Sequence, residues 1–124
     1  MRVEQSGPAT CKAATNSGFV LVRVPVRVLG PLENVTAISR YQIGGMVGRE
    51  VTWSPRGGQE TTLTFRIPLE LFRDRQHLTL EVLRLDQSTG RETLWARRYE
   101  LHWASGAPEV EPIPDSNAGS LGEP

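Results

Sequence analysis

The chain has 124 residues, fourteen lysines and arginines against fourteen aspartates and glutamates, and a hydrophobic share of 38%; that length carries one core and is too short for two domains. A formal charge of zero excludes the field-wide attraction that draws basic proteins to nucleic acid or anionic lipid, and a single cysteine, Cys11, excludes an internal disulfide framework. The longest apolar run, Phe19 to Val22, stops at Arg23, far below the roughly eighteen residues of a membrane span.

Residues 1–17 read as an N-terminal arm or a first strand. Met1 to Thr10 hold no apolar signal core, so the chain is expected either to be made in the cytoplasm or to have lost a signal already. Cys11 sits beside Lys12 among small polar residues, a mobile setting in which the thiol is incidental.

From Phe19 onward the pattern has period two, the signature of strands. Val20, Val22, Val24, Val26 and Val28 share one face, with Leu21, Arg23, Pro25 and Arg27 on the other; β-branched residues in that register favour a strand over a helix. Pro25 has no amide hydrogen for a ladder, which predicts an edge strand or a bulge at that point. Gly30 and Pro31 end the run. Val35, Ala37, Ser39, Tyr41 and Ile43 make one face of a second strand, closed by Gly44 and Gly45. Val51 and Trp53 mark a short third, and Ser54 to Gly58 is turn chemistry. Leu63, Phe65 and Ile67 form the inward face of a fourth strand, with Thr62, Thr64 and Arg66 outward and Pro68 at its end.

Leu69 to Asp74 has room for one helical turn after that proline. Leu78, Leu80 and Val82 resume alternation, and Trp95, Tyr99, Leu101 and Trp103 share a face of the sixth strand. Between them, Asp86-Gln87-Ser88-Thr89-Gly90-Arg91 predicts a hairpin in which a type I turn is followed by a left-handed glycine. Residues 105–124 carry four prolines and four acidic groups, Glu109, Glu111, Asp115 and Glu123, with no basic one. That composition is expected to stay outside the core as a tail, so that deleting residues 106–124 leaves the monomer's thermal melt nearly unchanged and weakens assembly.

Six strands with frequent turn signals and no crossover helix predict an all-β, antiparallel β-sandwich over residues 18–104 with a disordered or extended C-terminal tail. The strand order in sequence, the Pro68 to Asp74 corner and the Asp-Gln-Ser-Thr-Gly hairpin resemble bacterial immunoglobulin-like or fibronectin-III-like modules. The resemblance covers about residues 18 to 104. It implies an immunoglobulin-like sandwich in which Trp53 fills a core position of a central strand. The Cys, Trp, Cys spacing of antibody domains is absent, and no functional residue carries over, because such modules share a scaffold rather than a site.

No catalytic constellation is legible. His77 lies by a turn and His102 points opposite to Leu101 and Trp103, so both read as solvated or lining groups, and no nucleophile elbow is present. One cysteine and two distant histidines make no zinc spacing, and three scattered aspartates make no calcium site; no metal and no cofactor are expected. Gly44 to Gly48 lacks the Lys-Ser or Lys-Thr of a phosphate loop and reads as a strand connection. Asn34-Val35-Thr36 matches a glycosylation pattern inside a predicted strand. Tyr99 and Trp103 near Arg97 have the numbers for base stacking, but their alternation assigns them to the core.

Thirteen of the fourteen cations are arginine, a side chain suited to protein interfaces and carboxylate partners. Arg23 and Arg27 project from one face of the valine strand, Arg97 and Arg98 from opposite faces of the sixth. These four, with Glu109 and Glu111 of the tail, are the candidate interface: arginine faces receiving an acidic arm from a neighbouring subunit. The sequence thus predicts a non-enzymatic structural or interaction module, a subunit of a larger assembly such as a phage particle or surface lattice, with protein partners that include copies of itself. No nucleic acid and no membrane insertion are expected, and the setting is a virion or the cytoplasm. The alternative is an extracellular adhesive or carbohydrate-binding domain of an exported protein.

Overall fold

The five valines of the first long strand are fully buried, each worth about 1.5–3 kcal/mol against exposure, and the molecule is organised around them. The structure, a computed structural model, describes residues 2–13, 18–30, 35–56, 58–72, 74–86 and 90–114. The strands in chain order are β1 (Arg2–Gln5), β2 (Thr10–Ala13), β3 (Phe19–Leu29), β4 (Thr36–Ile43), β5 (Met46–Val47), β6 (Val51–Trp53), β7 (Glu60–Pro68), β8 (Gln76–Asp86), β9 (Gly90–Ala104) and β10 (Ala107–Pro112). A 3-10 turn over Leu69–Phe72 joins β7 to β8. Two antiparallel sheets pack face to face, as the period-two pattern predicts.

In the first sheet β3 is central. Its residues 26–29 pair with β1, residues 20–23 pair with β2, and its other side pairs with β7 over the whole run from Phe19 to Arg27. This corrects the edge strand or bulge expected from Pro25. The carbonyl of Pro25 accepts the amide of Ser6 at 2.9 Å, so the missing amide hydrogen points toward the gap between β1 and β2. The ladder to β7 loses nothing.

The second sheet runs β10-β9-β8-β4, with β5 and β6 both on the outer side of β4. Its inward side chains, Ala37, Tyr41, Ile43, Leu78, Leu80, Val82, Tyr99 and Leu101, meet the valines, Leu63, Phe65 and Ile67. Phe72, on the 3-10 turn, closes one end and is fully buried. Between Val82 and Leu83 the register with β9 slips, so that Val82 faces Trp95 while Leu83 faces Thr93. The outer face of this sheet hides Ile38 and Leu83 as well. They share it with a polar network in which Arg40 binds Glu81 and Glu50 and Arg91 binds Glu50 with both amino groups.

Two expectations fail for related reasons. Trp103, assigned to the core, is 46% exposed: β8 starts opposite Leu101, so β9 outruns it and Trp103 has only Pro108 of β10 beside it. The segment assigned to a tail from residue 105 instead turns back at Ser105 and Gly106, both at positive φ (55° and 79°), and pairs with β9. The composition argument missed that a strand added to an existing sheet needs no core of its own. Ile113 donates to the Arg98 carbonyl, so by alternation the odd residues of β10 face β9 and the nitrogens of Pro108 and Pro112 face away from it. Residues 87–89 of the predicted hairpin, Asn34, Gly57 and residues 115–124 lie outside the described residues, while Gly90 has the required positive φ of 88°.

Candidate functional site

The two lateral sides of the sandwich differ. On one, β2 lies against β10, where the Cys11 thiol donates to the Pro108 carbonyl at 2.9 Å, and Gln5 of β1 accepts from Arg97 and Tyr99 of β9. Cys11 is therefore a strand residue and half-buried, not part of a mobile arm, and burial pushes its thiol above the ordinary value of 9.0. The other side is open. There β7 borders the first sheet and the short β5 and β6 border the second, and a groove runs between them.

The groove is built by local necessity. Gly48 follows β5 and donates to the Tyr41 carbonyl at 2.8 Å; a Cβ at position 48 would stand 2.1 Å from the Tyr41 ring, so only glycine lets the chain cross that ring. Its turn carries Arg49 to the mouth of a groove of about 250 Å³ floored by Tyr41, Val51 and Phe65 and flanked by Arg66. A second hollow of about 370 Å³ continues past Trp53, whose indole donates to Ser39 at 2.8 Å. Trp53 is half-buried and packs on the core's margin. Val51, at 49% exposed, together with Met46 and Val47, places on this side three of the five exposed large hydrophobic side chains among the described residues, a concentration that marks interaction surfaces. Among the described residues Arg49 has no ion pair, and Arg66 stacks on Phe19 at 4.5 Å without one.

The backbone of β7 is the unusual part. Val28 donates to the Gln59 carbonyl, and Leu69 donates to Gly18. By alternation Leu63, Phe65 and Ile67 bond to β3, while the amides and carbonyls of Thr62, Thr64 and Arg66 face outward. No described strand pairs with them. The other edges are guarded in the ways sheets use against stray pairing. The β1/β2 edge is interrupted between residues 5 and 10, β5 and β6 are two and three residues long, and β10 turns its prolines outward and lies against β2. Strand β7 runs nine residues in unbroken register with β3, with neither lysine nor bulge.

The residues singled out from sequence do not assemble into one face. Arg23 and Arg27 lie on the outside of the first sheet, Arg27 bound to Glu60 at 2.8 Å. Arg97 is turned inward over the Tyr99 ring, its Nε buried without a partner. Arg98 is on the outside of the second sheet, against His77 at 3.2 Å. Glu109 and Glu111 share that outer face, but around His102, whose Nε2 is 3.7 Å and 3.0 Å from their carboxylates.

His102 is only 8% exposed, so of the two readings, solvated or lining, it takes the second; the strand that covers it was read as tail. With Glu109 and Glu111 it brings three ligand types within 4.8 Å of one another. Ligation of a cation through Nε2 would put the ring proton on Nδ1, which is buried without an acceptor, whereas metal-binding histidines donate that proton to a second group.

No protein-family model matches the chain, and no curated protein or solved structure matches it either. The open side must therefore be read from its own chemistry: backbone donors and acceptors with no partner strand among the described residues, an apolar floor and two guanidinium groups. A sheet edge of this kind is the sort of surface to which an extended polypeptide can be added as a strand. The outward threonines and Arg66 were legible as an outer face; which edge would be left unpaired depends on sheet order, which alternation does not encode.

Proposed function

We propose that the chain is a non-enzymatic protein-interaction module, a subunit that joins other polypeptides by accepting a strand along β7. The observation that carries this reading is the outward edge of Thr62, Thr64 and Arg66, with which no described strand pairs, beside the groove of Tyr41, Val51 and Phe65. Main-chain hydrogen bonds along the edge would supply affinity, and alternate side chains of the added strand would enter the groove and supply specificity. Arg49 and Arg66 favour a strand with carboxylates near its ends. The immunoglobulin-like likeness is compatible with this role: β3 and β7 in one sheet and β4, β8 and β9 in the other follow the B, E and C, F, G arrangement of such sandwiches. The adhesive alternative calls for a row of exposed tryptophans, and Trp103 stands on the surface alone, with Trp53 and Trp95 half-buried.

The test is selection from a displayed library of short random peptides against the full chain, repeated with Thr64→Pro. The nitrogen of residue 64 faces away from β3, so proline removes an edge donor without breaking the internal ladder. Selected peptides that bind the wild-type chain and lose binding to Thr64→Pro support the role; peptides that bind both equally, or no binders at all, contradict it.

A further inference from the structure

The outward side chains of β7 read Glu60, Thr62, Thr64, Arg66. Reversed, the same series places an acid against a base at each end and threonine against threonine in the middle. We infer that the strand accepted by β7 is β7 of a second copy, antiparallel, about a two-fold axis at Leu63; this rests on the free-edge reading above and names its partner.

Several independent features select that register. The residues whose backbone groups face outward are the even-numbered ones, so any symmetric antiparallel pairing must match even with even. Centring on Leu63 sets Glu60 opposite Arg66 of the second copy and Thr62 opposite Thr64, each a hydrogen-bonded pair with two bonds. Opposite charges and threonine pairs directly across a ladder are favourable. Centring on Thr64 would set Glu60 against Pro68, which has no hydrogen to donate, and would leave Arg66 facing threonine. Centring on Thr62 would place Arg66 against Gly58 and Glu60 against Thr64, with no charge pair at all. Only the Leu63-centred ladder uses both charges and keeps proline out of its middle.

The intramolecular neighbours permit it. Glu60 holds Arg27 through Oε2, and its side chain is 63% exposed, so a second guanidinium can approach the other oxygen. The Arg66 guanidinium carbon lies 4.5 Å from the centre of the Phe19 ring, and the residue is exposed. Where other proteins protect a long edge with a charge that repels its own image, here the two charges attract theirs. Closed two-fold pairing of this kind ends at a dimer, with the two four-stranded sheets joined into one.

The experiment is sedimentation velocity of the full chain over a concentration series. The wild-type chain is expected to show a monomer–dimer equilibrium, and Thr64→Pro to remain monomeric with an unchanged circular dichroism spectrum. Glu60→Arg and Arg66→Glu, each placing like charges opposite one another, should each weaken the dimer by roughly tenfold. An equimolar mixture of those two variants should restore association, because the arginines of one then face the glutamates of the other. A chain that stays monomeric at its solubility limit, a dimer that survives Thr64→Pro, or a mixture no better than its components would overturn the inference. Self-association and edge binding fail separately: a monomeric chain that still binds Thr64-dependent peptides removes the second copy and keeps the edge.

Discussion

Gly7 lies against the ring of Pro25, where a Cβ at position 7 would come within 2.9 Å of Pro25 Cγ. The chain thus crosses between β1 and β2 at the one place in β3 that has no amide to offer, and it crosses closely. Gly7→Ala forces the proline ring or the crossing segment to move, at about 1–3 kcal/mol, the usual range for overpacking. Urea unfolding should show that loss, and Gly7→Ala combined with Pro25→Ala should regain most of it. Simple additivity of the two changes would contradict the contact.

Aromatic truncations should separate by position rather than by size. Phe72 is fully buried although it sits on a four-residue 3-10 turn, and Phe72→Ala should cost about 3–5 kcal/mol. Trp103 projects past the start of β8, and Trp103→Ala should cost no more than about 0.5 kcal/mol, as for a surface site. Chemical denaturation of the two variants checks both; a larger loss at Trp103 would mean that β9 is not overhanging.

Deleting residues 106–124 is expected to lower the melting temperature, because it removes β10 with buried Pro108 and partly buried Val110. The deletion also removes the carbonyl that receives the Cys11 thiol. Burial holds that thiol above 9.0, so it should label slowly with a thiol reagent in the full chain and markedly faster in the truncated one. Equal labelling rates would place Cys11 outside the β2–β10 contact.

The acid limb reports on Glu50. Hydrogen bonds from Arg91 and then Arg40 hold its carboxyl below the ordinary 4.5. A carboxyl whose folded value is lowered adds stability that is present above pH 4.5 and is lost as the pH falls through the folded value. The stability difference between wild type and Arg91→Ala should therefore be largest near neutrality and shrink on acidification. A difference independent of pH would show that the pair contributes only packing.

Much of the fold was legible because burial imposes period two. The valines of β3 and the Leu63, Phe65, Ile67 face are where alternation puts them. What alternation cannot express is neighbourhood. Pro25 reads as an edge signal because the sequence does not say that the neighbouring strand is split where the proline faces it. Residues 107–112 read as tail because an acidic, proline-rich composition cannot build a core, yet they join an existing sheet, with the nitrogens of Pro108 and Pro112 on the outside of an edge. The burial of His102 follows from that strand and was lost with it. The arginines were visible, but Arg23, Arg27, Arg97 and Arg98 fall on three different surfaces, and Arg49 and Arg66, which line one groove, come together only through the order of strands.

Amide hydrogen exchange along β7, followed by NMR at low and high protein concentration, tests the free edge most directly. In dilute solution Leu63, Phe65 and Ile67 should be protected and Thr62, Thr64 and Arg66 should exchange rapidly; at high concentration those three should become protected as the ladder forms. Protection of Thr62, Thr64 and Arg66 already in the dilute monomer, or rapid exchange that persists when the chain associates, would contradict the account.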